Sequence, residues 1–267
     1  MARKRITQRF PWLLPFRRWQ RKKMFYLFMR LDKNRYAKEK AAYPLPYELF
    51  STASLMRNPD SGFAMQYQEN KVYNLHLAAE TINHIIIRPG ETFSFWQLVR
   101  YADSSRPYKD GLTFVDGKIT GAYGGGLCQL SNLLFWLFLH IPVEIVERHG
   151  HEEESFPPAD KALPYGVDAT VYEGWKDLKV KNTTEHLFQI VITFDEDYMY
   201  GSIRSDEEAA YRYEIYNREV SYYRKQGKLY REVSVDGVRE DKAGYREEIS
   251  FYRTVCEIGY PLPEDIG

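Results

Sequence analysis

The stretch Gly124-Gly125-Gly126-Leu127-Cys128-Gln129 places a thiol directly after three glycines, where the chain enters the apolar segment 130–141. Glycine adopts positive φ angles and lets other atoms approach the backbone closely. The residues that follow predict a helix whose first turn contains Cys128. A helix N-terminus has unpaired N–H groups and the positive end of the helix dipole, so it stabilises a thiolate and offers donors to an oxyanion.

The segments after Cys128 predict a route by which a histidine returns to the thiol. A helix over residues 127–139 rises roughly 20 Å at ~1.5 Å per residue, and Pro142 ends it. Residues 143–148 alternate in the manner of a strand and travel roughly 20 Å at ~3.3 Å per residue. If this strand packs antiparallel to the helix, His149 and His151 arrive at the level of Cys128.

These residue types predict a thiol nucleophile and an imidazole base. His149 and His151 point to the same face of a strand that continues from residue 148, so either can be the base. His149 ranks slightly first because it continues the strand directly, whereas His151 follows Gly150. Asp168 or Asp177, each just before a predicted strand, is the candidate that orients the imidazole.

Other residues are candidates for contact with an oxyanion or a substrate. Gln129 or the backbone N–H of Cys128 can supply an oxyanion donor. The histidine that is not the base can bind substrate or pair with Glu91 or Glu147. The full set in this class is Gly125, Gly126, Gln129, Glu91 and Asp177.

Other interpretations of the glycine loop and Cys128 remain open. A free cysteine is among the most buried residue types, and the glycines can serve packing alone. Cys128, His149 and His151 with a carboxylate would also suffice for zinc. The sequence contains no Cys-x-x-Cys or His-Glu-x-x-His pattern and no nucleotide-binding glycine motif. We therefore expect no metal and no cofactor.

The formal net charge of zero hides an asymmetry along the 267 residues. Residues 1–40 contain 14 Lys and Arg against two acids, which gives +12, and the rest of the chain is −12. Such an arm can bind anionic lipid or nucleic acid, or dock on its own acidic body. We expect residues 17–40 to dock on the body through the stripe of Met24, Leu27, Phe28 and Leu31. Contact with anionic lipid at the cytoplasmic face is the competing idea and is reserved for residues 1–16, and no nucleic acid is expected.

The cysteine count and the hydropathy pattern bear on the compartment. Two cysteines are too few for a disulfide scaffold. The N-terminal apolar patch is interrupted by Pro11 and Pro15 and lacks the features of a signal peptide. No stretch reaches the ~18 apolar residues of a membrane span. We expect a cytoplasmic protein, either free or peripheral at the inner face of the membrane.

The pattern along the chain predicts an α+β fold, with a basic N-terminal helix and helical segments followed by mostly antiparallel strands around the glycine loop and the Cys128 helix. We expect a helix over residues 17–40, a short strand over 63–68, a helix over 71–87, and strands over 169–172, 178–181 and 188–194. Asp116-Gly117 and Asp236-Gly237 predict hairpins. The predicted divisions are an arm over 1–45, a core over 46–205 and a Tyr-rich β extension over 206–267.

Several motifs occur in a fixed order. They are Arg88-Pro-Gly-Glu-Thr-Phe-Ser-Phe95, Gly124-Gly-Gly-Leu-Cys-Gln-Leu-Ser-Asn132, Glu147-Arg-His-Gly-His151, and Gly166-Val-Asp-Ala-Thr-Val171 followed by Asp177-Leu-Lys-Val-Lys-Asn182. In these motifs the sequence resembles the VanW family, strongly over residues 74–194. The resemblance implies an accessory role in glycopeptide (vancomycin) resistance and in cell-wall precursor metabolism.

Two functions follow from these observations. The first is a thiol-dependent enzyme that transfers or hydrolyses an acyl or amide group on a peptidoglycan precursor or its peptide. The second is a non-catalytic protein that binds such a precursor or a partner protein. The 22 tyrosines fit a half-hydrated groove or a large interface in either case.

Overall fold

The structure is a computed structural model that describes residues 10–57, 65–115, 118–154 and 162–261. The described residues contain four α-helices, of which the first follows a 3-10 turn at Pro11–Leu13. The helices are α1 Leu14–Leu31, α2 Met65–Ile82, α3 Phe95–Val99 and α4 Cys128–Phe138. None of the described helices has the length and apolar character needed to cross a bilayer.

Fifteen strands accompany the helices in the same part of the chain. They are β1 Arg35–Tyr36, β2 Tyr47–Leu55, β3 Ile86–Ile87, β4 Glu91–Ser94, β5 Asp110–Val115, β6 Lys118–Tyr123, β7 Val143–Glu147, β8 Glu153–Glu154, β9 Lys179–Asn182, β10 Phe188–Phe194, β11 Tyr198–Ser205, β12 Tyr211–Tyr216, β13 Val220–Lys225, β14 Lys228–Asp241 and β15 Arg246–Ile258. Most strand pairs are antiparallel, and the predicted α+β class is confirmed.

Two four-stranded sheets contribute to the core, and α4 packs against β2 and β11 of the second. The first has the order β1-β4-β9-β7 and the second the order β2-β11-β10-β3. Leu130, Leu134 and Phe135 of α4 are fully buried, and burial of such side chains contributes on the order of 2 kcal/mol each. The helix lies directly on β11 at Gly201. A Cβ added to this glycine would come within 2.8 Å of Leu133.

The boundaries of α2 differ from the prediction. Residues 65–68, predicted as strand, belong to the helix, and Asn70 is not its cap. The Asn70 side chain instead donates to Asp110 O at 2.8 Å. The helix ends before residue 87 because His84 adopts a left-handed φ of 65° and the chain then enters β3.

The C-terminal strands form a third sheet with the order β12-β14-β15-β8, and β13 also pairs with β14. The hairpin predicted at Asp236-Gly237 is wrong, since both residues lie inside β14. Gly237 permits close strand packing there, because an added Cβ would lie 3.0 Å from Glu214 O. The turn falls at Gln226-Gly227, where φ is 53° and 79°.

The hairpin predicted around residues 116–117 is confirmed by the pairing of β5 with β6, although its two turn residues lie outside the described residues. Strand β10 has its predicted bounds, and β9 is shifted by one residue from 178–181. Residues 169–172 are not a strand. Within the described ranges, the β-bridge found there is the isolated pair Tyr172–Lys176.

Helix α1 packs on the body through a face different from the predicted one. Tyr26 and Met29 are buried, and the Tyr26 hydroxyl donates to Glu173 Oε1 at 2.7 Å. The predicted docking residues are instead exposed: Met24, Leu27, Phe28 and Leu31. The helix also stops at Leu31 rather than residue 40, since β1 then pairs in parallel with β4.

Candidate active site

The glycine loop is held by a buried asparagine from α2. Asn74 is fully buried; its Nδ2 donates to Gly125 O at 3.0 Å and to Lys109 O at 2.9 Å. Its Oδ1 accepts from Lys109 N at 2.8 Å. One side chain therefore fixes the loop that leads into α4 and the approach to β5.

Close packing explains two of the three glycines. A Cβ added at Gly125 would lie 2.2 Å from Gly111 O, and one at Gly126 would lie 2.1 Å from Cγ of Lys71. Gly126 also has a φ of 99°, which residues with a side chain rarely adopt. Gly125 and Gly126 thus shape the loop through contacts with β5 and α2.

Cys128 is the first residue of α4 and is partly exposed. Its Sγ donates to Val171 O at 3.7 Å. Its backbone N–H has no backbone acceptor among the described residues, as expected for the first turn of a helix. The thiol therefore lies beside an unpaired N–H group at the positive end of the helix dipole.

The imidazole of His151 is held by a carboxylate. His151 Nδ1 lies 2.5 Å from Asp168 Oδ2, and the His151 backbone N–H donates to the same oxygen at 2.6 Å. Burial alone would lower the pKa of His151, but the hydrogen bonds with Asp168 and with the Cys128 thiol raise it to about 10. An imidazolium is therefore favoured at neutral pH, and Nε2 is the ring nitrogen left for the thiol.

Arg148 holds the carboxylate of Asp168 in place. Its Nη2 donates to Asp168 Oδ1 at 2.8 Å and to Gly166 O at 2.6 Å, and only 8% of its side chain is exposed. Burial would raise the pKa of Asp168, but the His151 hydrogen bond and the charges of His151 and Arg148 hold it well below its usual range. The carboxylate therefore stays ionised.

Helix α4 also fixes the backbone of the residue that follows Asp168. Ser131 Oγ donates to Ala169 O at 2.5 Å, and Asn132 Oδ1 accepts from Ala169 N at 2.8 Å. Thus the helix that begins with Cys128 also holds the segment that contains Asp168 and Val171.

His149 faces a different set of charges. Its Nε2 lies 3.0 Å from Glu147 Oε1, and Glu147 also pairs with Lys179 at 2.8 Å. The two histidines differ because β7 ends at Glu147, with an irregular register between Ile145 and Glu147, so the predicted strand does not reach them. The geometry therefore places His151, rather than His149, on the Asp168 carboxylate.

Asp177 and Glu91 support backbone rather than the thiol. Asp177 is fully buried and accepts from Ser94 Oγ at 2.6 Å and from the backbone N–H groups of Trp96 and Leu178. Glu91 accepts from Arg88 N at 3.0 Å and pairs with Arg35. Asp177 therefore supports the start of α3, whose N-cap is Ser94, and Glu91 closes the turn before β4 instead of pairing with a histidine.

The side chain of Gln129 is tied to β2. Its Nε2 donates to Ser54 Oγ at 2.8 Å and to Leu55 O at 2.7 Å, which uses both hydrogens. Its Oε1 is buried without a hydrogen-bond partner among the described residues. The amide therefore anchors the start of α4, and the backbone N–H of Cys128 is the donor available beside the thiol.

Metal ligation finds no support in the described ranges, where no group of three or more His, Cys, Asp or Glu side chains could hold an ion.

Sequence reasoning did not single out Asn74, Arg148, Ser131 or Asn132. Arg148 and Asn132 lie inside two of the motifs quoted above, and this was the available signal. An arginine in an alternating segment is ordinarily interpreted as exposed, so its burial against Asp168 could not be inferred.

Comparison with known proteins identifies the family. The model of the family described as "VanW like protein" matches residues 70–204. The chain is 48% identical to the vancomycin B-type resistance protein VanW of Enterococcus faecalis (strain ATCC 700802 / V583), over 100% of this chain and 98% of that protein. This chain belongs to the VanW family.

A second relative matches a smaller part. The YoaR protein of Bacillus subtilis (strain 168) is 34% identical over 114 residues, which cover 43% of this chain and 36% of that protein. No solved structure matches the chain.

Proposed function

We propose that this chain acts in vancomycin resistance, as the name of its enterococcal relative states for that protein, and that it does so as a thiol-dependent hydrolase or transferase. The substrate is an acyl or amide group of a peptidoglycan precursor or its peptide. One observation carries the chemistry: the His151 ring is hydrogen-bonded to the Asp168 carboxylate, and the Cys128 thiol is among the groups that raise the pKa of His151.

The reaction begins from a Cys128 thiolate paired with the His151 imidazolium, in which Nε2 already holds the proton of the thiol. The thiolate attacks the substrate carbonyl carbon, so that a C–S bond forms and the carbonyl π electrons move to oxygen. When this intermediate collapses, the C–N or C–O bond breaks and the leaving group takes the proton from His151. Water, or the hydroxyl or amine of an acceptor, then attacks the thioester and gives its proton to Nε2 of His151. The C–S bond breaks, the acyl group leaves on the new oxygen or nitrogen, and the thiolate–imidazolium pair is restored.

Asp168 and Arg148 position the base in this scheme. The Asp168 carboxylate holds the Nδ1 hydrogen of His151 and stabilises the imidazolium. Arg148 occupies the other carboxylate oxygen and so keeps Oδ2 directed at His151. The backbone N–H of Cys128 is the proposed donor to the oxyanion.

Alkylation by iodoacetamide tests the reactivity of the thiol, with Cys256 as an internal control. Burial raises the pKa of the Cys256 thiol to about 12, so Cys256 should react slowly at neutral pH. Cys128 should react much faster, and His151→Ala should slow it by about tenfold or more. Mass spectrometry of the two cysteine-containing peptides measures both rates in one sample.

Acyl transfer is tested separately with p-nitrophenyl acetate. A burst of one p-nitrophenol per chain, absent in Cys128→Ala, would support a thioester intermediate. Suppose instead that Cys128 reacts no faster than Cys256 and that Cys128→Ala preserves vancomycin resistance in cells. The enzymatic proposal would then fail, and a non-catalytic precursor-binding protein would be the remaining function.

A further inference from the structure

Helix α1 presents an apolar surface that nothing in the described chain covers. Met24, Leu27, Phe28 and Leu31 recur at helical spacing, and their exposed fractions are 41%, 45%, 61% and 70%. Large exposed apolar patches on a folded chain mark interaction surfaces. We call these four residues the outer stripe of α1.

Aromatic side chains extend this surface at the N-terminal end of the helix. Trp12 is 74% exposed, Phe16 is 59% exposed and Trp19 is 56% exposed. Trp is enriched where a protein meets the boundary between lipid headgroups and acyl chains. Exposed apolar side chains therefore occur along the whole length of α1.

The charge on α1 has one sign. The helix contains no acidic residue and six basic residues, which are Arg17, Arg18, Arg21, Lys22, Lys23 and Arg30. Within the described chain, only Lys22 of these six has a carboxylate partner, Glu173 at 2.7 Å. Residues 1–9, whose structure is not described, add Arg3, Lys4, Arg5 and Arg9 and no acid.

We propose that the outer stripe and the adjoining aromatic residues bind an anionic lipid bilayer surface, with α1 lying in the plane of the interface. Basic residues on such a helix attract anionic headgroups, while aromatic and aliphatic side chains enter the headgroup boundary. A second copy of this chain is disfavoured as the occupant, because it would bring six further cations against the same surface.

The inner face of α1 allows this contact without release of the helix from the body. Tyr26 and Met29 are buried beneath the helix, and Gly174 lies so close that an added Cβ would be 3.1 Å from Lys22 Cα. Glu173, which binds both Tyr26 and Lys22, follows Val171 by two residues, and Val171 accepts from Cys128. The bilayer surface proposed here is independent of the thiol chemistry but is linked to the site by this short path.

Vesicle flotation with the full chain tests the proposal. Vesicles of phosphatidylcholine alone are compared with vesicles that also contain phosphatidylglycerol, at ~0.15 M salt, where exposed charges are screened beyond ~8 Å. The full chain should float with the anionic vesicles and not with the neutral ones. Leu27→Glu combined with Phe28→Glu should weaken this binding by about tenfold or more.

Tyr245→Glu is the matched control, because Tyr245 is 69% exposed in the turn between β14 and β15. It should bind anionic vesicles as tightly as the original chain, and thermal unfolding should show that both variants are folded. The proposal is overturned if the original chain does not bind anionic vesicles, or if the Leu27 and Phe28 variant binds them as tightly as the original chain does. A different result would identify a second copy of the chain as the occupant. In that case the original chain would not bind vesicles but would form a concentration-dependent dimer, and the Leu27 and Phe28 variant would not form it.

Discussion

Arg148 donates to Asp168 twice, from Nη2 to the carboxylate Oδ1 at 2.8 Å and from Nε to the backbone O at 2.6 Å. The carboxylate therefore cannot rotate without breaking a charge-assisted hydrogen bond. Its second oxygen, Oδ2, is presented to the ring and the backbone N–H of His151. The orientation of the imidazole beside Cys128 thus depends on a residue that contacts neither the thiol nor the ring in this network.

Replacement of Arg148 tests whether this residue orients the imidazole of His151. Arg148→Met should slow alkylation of Cys128 by roughly tenfold and destabilise the fold by on the order of 3 kcal/mol, because a largely buried carboxylate loses its partner. Arg253→Met is the control, since the Arg253 side chain is 63% exposed and pairs with an exposed Glu219. Equal alkylation rates in the Arg148 variant and the original chain would contradict the positioning role.

Asp168→Asn should change the titration of His151. The carboxylate helps to raise the pKa of His151 from 6.5 to about 10, so its loss should bring that pKa back toward the ordinary range. A raised histidine pKa stabilises the fold fully below about 6.5, and this contribution is lost as the pH rises toward about 10. NMR titration of the His151 ring in both chains measures the shift, and an unchanged His151 pKa in the variant would contradict it.

The contribution of Asp177 to the stability of the fold should depend on pH in the opposite sense to that of Asp168. Burial outweighs its hydrogen bonds and raises the pKa of Asp177 from 3.8 to about 6. The folded chain therefore binds the proton more tightly than the unfolded chain, and stability falls as the pH rises from about 3.8 to about 6. Asp177→Asn should remove this decline, which is on the order of 2 kcal/mol.

Urea unfolding across this pH range measures the effect. Asp195→Asn is the comparison, because hydrogen bonds from Tyr200 and nearby backbone lower the pKa of the exposed Asp195. Its replacement should shift the pH dependence in the other direction, although weakly because solvent screens the exposed carboxylate. A steeper decline in Asp177→Asn than in the original chain would refute the sign assigned to Asp177.

Local sequence patterns were sufficient to predict those elements for which the apolar period and the flanking residues allowed one type of structure. The apolar run between the glycines and Pro142 predicts a helix over 127–139, and α4 spans Cys128–Phe138. The alternating residues 188–194 form β10 with the predicted bounds. In both cases the period of the apolar residues and the flanking breakers decide the element without help from distant contacts.

The features that were not predicted correctly depend on contacts between residues far apart in the sequence. Asp236-Gly237 has the local composition of a turn, but Gly237 is needed where β12 and β15 approach β14, and only the folded sheet reveals this. The outer stripe of α1 has the spacing of a docking face, whereas the buried face is defined by Tyr26 and its bond to Glu173. Sequence reasoning put Asp168 among the candidates, but the choice between the histidines depended on where β7 ends.

The glycine loop should not tolerate a side chain at its centre. In Gly125→Ala the new Cβ would meet the backbone oxygen of Gly111 at 2.2 Å, and backbone cannot move aside cheaply. We expect a loss of about 3 kcal/mol or more and slower alkylation of Cys128. Gly90→Ala is the control: its φ is 74° and nothing lies within 4 Å of an added Cβ, so only ~1 kcal/mol of backbone strain is expected. Similar losses of unfolding free energy in the two variants would show that the glycine loop can shift to accommodate the added methyl group.

Adjacent residues of α1 should differ sharply in their contribution to stability. Met29 is 5% exposed beneath the helix, whereas Phe28 is 61% exposed on the outer stripe. Met29→Ala should therefore lower the free energy of unfolding by about 3 kcal/mol, because it leaves a cavity against the core. Phe28→Ala should change it by no more than about 0.5 kcal/mol. Urea unfolding of the two variants in the same buffer measures the contrast. If Phe28→Ala were the more destabilising change, the outer stripe would be packed against protein in solution, and the bilayer surface proposed for it would have to be abandoned.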